Sequence, residues 1–255
     1  MLLPTYTLWR RDVIRFLRQR SRIVGALGTP IVFWLLLGSG LGSSFRLGPG
    51  ASPIGGYLEY FYPGTLALIV LFTAIFSTIS VIEDRHEGFL QGVLVAPVPR
   101  SAIVLGKVSA GATMALIQAV LFLALSPVAR VRIEPASLPL LVVVLVALAL
   151  AVTGLGFTLA WVIDSTQGFH AVMNLLLFPM WLLSGAVFPS DGAAGWIRAV
   201  MAINPMTYGV SAIRAILMGD TSGPSMTMSL ACVTVFGAAA VAAGTFVVRE
   251  RRMTA

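Results

Sequence analysis

Six apolar runs, each long enough to cross a bilayer, divide this 255-residue chain at about 23–41, 57–82, 101–128, 138–163, 168–188 and 226–248. A helix of roughly 20 residues spans a hydrocarbon core about 30 Å thick. Within lipid, a spanning segment must satisfy its own backbone hydrogen bonds, which favours helices. The pieces between the runs hold the Pro, Gly and charged residues that loops require. Only 11 % of residues are charged, 58 % are hydrophobic, and mean hydropathy is +0.93. A soluble domain carries roughly 25 % charged residues, so this chain cannot cover a soluble surface. The fold class expected is all-α: a polytopic membrane protein with six transmembrane helices in a single domain over residues 1–255. The first run is read as a span and not a cleaved leader, because it exceeds a typical leader core and follows a long basic segment.

Charge placement sets the orientation. With six spans, one side holds both termini and the second–third and fourth–fifth loops. That side carries twelve of the 17 basic residues: Arg10, Arg11, Arg15, Arg18, Arg20, Arg22, Arg85, Arg100, Lys107, Arg249, Arg251 and Arg252. Arg46, Arg130, Arg132, Arg198 and Arg214 fall on the other. The positive-inside rule puts both termini in the cytoplasm. The net charge of +7 is thereby explained by topology, and no nucleic-acid partner is expected.

Several chemistries find no residues to carry them. Cys232 is the only cysteine, and His86 and His170 lack paired ligands, so neither a disulfide nor a metal site is expected. A phosphate-binding loop needs Gly-Lys followed by Ser or Thr, but the only lysine, Lys107, precedes Val108. No cofactor is expected in this chain; ATP and Mg²⁺ would sit on another polypeptide. Glu59, Asp164, His170 and Lys107 fall near span ends, with Lys107 read as snorkelling to the interface. That leaves no mid-membrane carboxylate for a proton relay. No nucleophile–base set supports hydrolytic catalysis.

Three segments outside the spans carry signal. In residues 1–22, Tyr6, Trp9, Val13, Phe16 and Leu17 share one helical face, while Arg11, Arg15, Arg18 and Arg22 share the opposite one. This pattern suits an interfacial helix with its aromatic side in lipid and its arginines near phosphates; a plain positive-inside anchor is the simpler alternative. Residues 83–100 open with Glu83, Asp84, Arg85, His86 and Glu87 and continue through Gly88, Phe89, Leu90 and Val93 to Pro97, Pro99 and Arg100. Phe89, Val93 and Ala96 or Pro97 recur at helical spacing. A short helix that docks a cytoplasmic partner is one reading; rest on lipid or on the chain's own helices is the other. Residues 189–225 are too long for a hairpin yet rich in apolar residues. Trp196, Ile197, Val200 and Met201 suggest one short exoplasmic helix, and Tyr208, Ile213, Ile216 and Leu217 another.

The run Glu87-Gly88-Phe89-Leu90, then Leu94-Val95-Ala96-Pro97 and Arg100, resembles the cytoplasmic signature of ABC type-2 exporter permeases of the daunorubicin-resistance branch. Leu182-Leu183-Ser184-Gly185-Ala186-Val187-Phe188-Pro189, then Trp196 and Asn204-Pro205-Met206-Thr207-Tyr208 to Arg214, is similar to that family's C-terminal pattern. The resemblance implies an elbow helix around Trp9–Arg22, a coupling helix within 83–100, and exoplasmic helices between Pro189 and Leu217. It implies a cytoplasmic ABC ATPase as partner, a second permease copy or a close relative (homodimer or heterodimer), and a bacterial inner-membrane location. The expected function is outward movement of an amphipathic drug-like or lipid-like substrate, with lipid-linked glycan or polysaccharide as the alternative cargo. An ion-coupled carrier acting alone, a scaffold without flux and an intramembrane enzyme are the readings of other classes. Under the exporter reading, Phe89, Leu90 and Val93 would pack in a groove of the ATPase. Glu83, Asp84 and Glu87 would pair with its rim, and motion would pass to the first, second and fifth spans.

Overall fold

The computed structural model describes residues 1–41 and 56–250, apart from the side chains of residues 20–22 and 191. The expectations for Arg46, Arg251, Arg252 and the Arg22 side chain fall outside that set. Ten α-helices and no strand occur among the described residues. They are α1 (Leu2–Arg18), α2 (Arg20–Leu41), α3 (Tyr57–His86), α4 (Phe89–Val95), α5 (Arg100–Leu123), α6 (Leu138–Val162), α7 (Thr166–Trp181), α8 (Gly195–Ile203), α9 (Pro205–Met218) and α10 (Met226–Glu250). Six of them, α2, α3, α5, α6, α7 with its extension to Ala186, and α10, are long and apolar enough to span.

The 30-residue α3 forms the axis of the bundle and is buried along nearly its whole length. Its neighbours α2, α5 and α6 enclose it. Lipid tails are as apolar as leucine, so close backbone approach must hold such helices together. Small residues supply that approach between α6 and α10, where Gly237 lies against Ala151 and Gly154 against Ala240. Near one end, Trp34, Tyr62 and Phe122 form an aromatic cluster with centroids 4.7–5.6 Å apart. The Trp34 Nε1 donates to the Leu58 carbonyl at 2.9 Å, and the Tyr62 hydroxyl to the Phe122 carbonyl at 3.0 Å.

Two boundaries differ from expectation. The third span ends at Leu123, five residues early, in turns that run to Arg130. The first run is continuous with the basic segment, since only Gln19 interrupts α1 and α2. Arg20 and Arg22 therefore belong to the start of α2 and not to the interfacial helix.

Helix α7 does not stop cleanly. It passes into a π-turn at Leu182–Ala186, where Leu183 leaves helical geometry and Gly185 takes φ +80°. A side chain at that φ would be strained, so glycine is required there. Such a break frees backbone carbonyls that must find donors. Asn204 Nδ2 donates to the carbonyls of Met180 (2.5 Å) and Leu183 (3.1 Å). Tyr60 and Arg214 both donate to the Gly185 carbonyl, at 3.2 and 2.9 Å. Tyr57 donates to that of Val187 at 3.0 Å. Asn204 also caps α9 through Met206 N at 3.0 Å, and Pro205 occupies the first turn as its missing N–H permits. Helices α8 and α9 meet at 86° at this joint. At 1.5 Å per residue neither is long enough to cross alone.

Candidate functional site

The end of α3, helix α4, the start of α5 and helix α1 meet at one end of the bundle. The junction begins with chain geometry. α3 closes at His86, and Gly88 at φ +76° turns the backbone sharply into α4, a conformation that favours glycine. The segment expected as one coupling piece is therefore the last turn of α3, a glycine corner and the two-turn helix α4. Pro97 and Pro99 stop α4 before α5 begins at Arg100.

Asp84 is the centre of the junction. It is fully buried and accepts from Arg11 Nη2 at 2.7 Å and Nη1 at 2.8 Å, from Arg15 Nη1 at 2.8 Å, and from Lys107 Nζ. Lys107 Nζ also contacts Asp12 at 2.8 Å, and Arg11 reaches Asp12 at 3.1 Å. Arg15 Nη2 extends the network to Glu87 at 3.0 Å and Glu83 at 3.3 Å. An ion leaves water only when its partners replace the lost hydration. The bidentate fork of Arg11 on a buried carboxylate meets that need. The same bond holds the Arg11 guanidinium above its ordinary pKa. Above the network, the Arg11 guanidinium lies 3.6 Å from the Phe89 ring centroid, a cation–π contact that fixes α4 to α1.

Two further ties extend from the junction. Arg85 pairs with Asp164 at 2.5 Å and donates to the Trp161 carbonyl at 2.7 Å, while His86 Nε2 lies 2.8 Å from the Asp164 carbonyl oxygen. These contacts latch the end of α3 to the α6–α7 turn. Arg100 donates to the carbonyls of Val248 (3.0 Å) and Arg249 (2.5 Å). A cation at a helix C-terminus also complements the helix dipole, so Arg100 joins α5 to α10.

Several sequence expectations for individual residues change here. Lys107 does not snorkel; it is buried between two carboxylates on different helices. Asp84 faces inward and Leu90 is 1 % exposed, so neither is on a free face. Arg11 and Arg15 point at carboxylates and not at phosphates. Phe16 packs with Ala110 and Met114, and Trp9 Nε1 donates to Thr113 Oγ1 at 3.0 Å. The apolar stripe of α1 thus rests largely on α5, where Gly106 lets Leu8 and the Thr5 carbonyl come close. Periodicity identifies a face but not the surface that covers it. Glu87 and Arg18 remain exposed. Asp12 and the buried role of Lys107 were missed; a lone acid inside an arginine-rich helix was the available signal.

What stays open is the outer side of α4. Val95 is 87 % exposed, and Gln91, Gly92 and Pro97 are exposed beside it. Between α1 and α4 runs a groove of about 440 Å³, lined by Pro4, Thr7 and Leu8 on one wall and Phe89, Gly92 and Val93 on the other. Among the described residues no cluster of His, Cys, Asp or Glu could hold a metal ion. The ion pairs and the cation–π contact tie α1, α3, α4 and α5 together at this end of the bundle.

A family model described as ABC-2 type transporter matches residues 4–218. The chain is 28 % identical over 224 residues to Nodulation protein J of Rhizobium meliloti (strain 1021), covering 84 % of this chain and 80 % of that one. It is 26 % identical over 219 residues to the "Probable doxorubicin resistance ABC transporter permease protein DrrC" of Mycobacterium tuberculosis (strain ATCC 25618 / H37Rv), covering 84 % and 74 %.

Proposed function

The chain belongs to the ABC-2 type transporter family, and from that premise we propose that it is the permease of an ATP-driven exporter moved by a separate cytoplasmic ABC ATPase. A multi-pass membrane subunit of this family is a transporter component and is not itself catalytic. In the proposed orientation both termini and α4 face the cytoplasm of a bacterial cell, with the α8–α9 pair at the exoplasmic side. Two copies, or this chain and a relative, would enclose the substrate path.

The observation that carries the reading is an exposed apolar face on a helix tied to α1 and α3. Val95, Pro97 and the groove walls at Phe89 and Val93 offer the partner an apolar contact. Behind them, Phe89 is pinned by Arg11, and Arg11 by Asp84. ATP-driven closure of the partner pair would displace α4. The Asp84 network would carry that displacement into α1, α3 and α5, and Arg85 would pass it to the α6–α7 turn. The amphipathic drug-like substrate is supported by the similarity to the doxorubicin-resistance permease of Mycobacterium tuberculosis.

Phe89→Ala and Glu87→Arg are expected to lower permease-stimulated ATP turnover by about five- to tenfold, the effect of losing an interface contact worth about 1 kcal/mol. Membrane insertion should be unchanged, because neither residue lies within a span's buried core. Unchanged turnover in both variants removes the coupling assignment. Vesicle flux assays with an amphipathic cation and with a lipid-linked glycan separate the two cargo classes.

A further inference from the structure

Helix α3 is buried at every position from Phe61 to Asp84 except three, Phe72, Phe76 and Glu83. At 100° per residue these fall within about 40° of one another, so α3 opens to its surroundings along a single line. The Phe72 and Phe76 rings stack there, with centroids 5.7 Å apart and planes at 14°. Helix α7 flanks that line, and the centroid of the His170 ring lies 5.9 Å from that of Phe76.

The two exposed flanks of α7 differ in chemistry. The flank that carries His170 also carries Gln167, Asn174 and Phe178, spaced three and four residues apart. The opposite flank is apolar, with Leu175 (79 % exposed), Leu176 and Pro179. Asn174 is exposed near the middle of the Thr166–Ala186 span. Neither its side chain nor that of Gln167 has a hydrogen-bond partner among the described residues. An amide in hydrocarbon goes unsatisfied, and Asn174 is too short and too central to reach the headgroups. Polar side chains within spans face a bundle interior or an aqueous path. The apolar flank therefore meets lipid, and the polar one faces the space beside Phe72 and Phe76.

Resting on the exporter reading, we infer that Phe72, Phe76, His170 and Asn174 contact the cargo, and that the cargo is a planar aromatic amphipath, neutral or cationic, with few hydrogen-bonding groups. Its ring faces stack on Phe72 and Phe76, and its polar edge meets His170, Asn174 and Gln167. Sites for such ligands are mostly apolar with a small number of placed polar groups. A lipid-linked glycan suits this surface poorly. Each sugar brings several hydroxyls, and three polar side chains leave most of them unpaired. Residues 61–84 and 166–181 also hold no lysine or arginine to meet its phosphates, whereas Glu83 on the same line favours a cation.

The test is ethidium binding to the full chain in phosphatidylcholine nanodiscs, read by fluorescence anisotropy. It needs no ATPase, so its failure leaves the coupling test at Phe89 standing, and the failure of coupling leaves this one standing. Phe76→Leu, which keeps apolar volume but removes the ring, should raise the ethidium Kd about fivefold. Asn174→Leu should do the same, each change removing one aromatic contact or one hydrogen bond. Leu175→Ala, on the lipid flank, should leave the Kd unchanged. Wild-type affinity in the double variant Phe76→Leu/Asn174→Leu overturns the proposal. So does a soluble chitooligosaccharide that displaces ethidium as well as the planar dye acriflavine does. An Asn174→Leu chain that keeps its ethidium affinity but loses cross-linking between copies would assign the polar flank to a second chain, and also overturns it.

Discussion

Replacement of Asp84 by Ala is expected to abolish most of the folded, extractable protein, at a cost of about 3–5 kcal/mol. The change leaves Arg11, Arg15 and Lys107 converging on a dry site with only Asp12, Glu83 and Glu87 to balance them. Of these Glu87 is the most solvent-accessible, its side chain 55 % exposed. Its neutralisation to Gln should cost no more than about 1 kcal/mol, because water screens and replaces what is lost. Lys107→Met should be intermediate: two arginines still neutralise Asp84, and Asp12 keeps Arg11. Adding Asp12→Asn to Lys107→Met should recover part of that loss, since it neutralises a buried carboxylate left with Arg11 as its one cation. Fluorescence-detected size exclusion after graded heating orders the four proteins. Asp84→Ala melting with the wild type would show that the network is not buried as described.

Gly64→Ala is the second large effect, at the other end of the bundle. A Cβ on Gly64 would stand 2.7 Å from both Ala186 Cβ and the Ala186 carbonyl oxygen, and 2.9 Å from Ala186 Cα. Two of those three atoms are backbone, so no rotamer change relieves the clash. α3 and the π-turn must separate, which stretches the 2.8 Å bond from Trp181 Nε1 to the Gly64 carbonyl. Overpacking of this kind costs about 1–3 kcal/mol, roughly 2–12 °C in melting temperature for a domain of this size. Gly28→Ala is the control. Nothing lies within 4 Å of its added methyl, and alanine favours the helix. Equal melting of the two variants would contradict the close contact between α3 and the π-turn.

The spans were legible because lipid leaves the backbone little choice, and a run of 20 apolar residues states its own conformation. The segment from Glu83 to Arg100 was legible as a unit because a charge cluster, a short apolar helix and two prolines rarely adjoin. Its internal division was not. The same three acids that read as a rim for a partner include Asp84, which the fold turns inward onto α1. Nothing in local periodicity states that residues 11, 15 and 107 will converge on residue 84, since such pairing depends on how α1 crosses α5. The break in α7 was hidden for a related reason. Leu182 to Ala186 reads as continuous helix, and only the carbonyl partners Asn204, Tyr60 and Arg214, distant in sequence, make the π-turn affordable in a dry setting.

In the proposed orientation α4 faces the cytoplasm, where a partner can move it. The direct measurement is labelling of Val95→Cys with a membrane-impermeant maleimide, in a chain whose only native cysteine, Cys232, is replaced by Ala. Intact cells should leave the introduced thiol unmodified, while lysed cells should label it fully, as its exposure allows. Equal labelling of intact and lysed cells would place α4 outside, beyond the reach of any cytoplasmic ATPase, and would contradict the account.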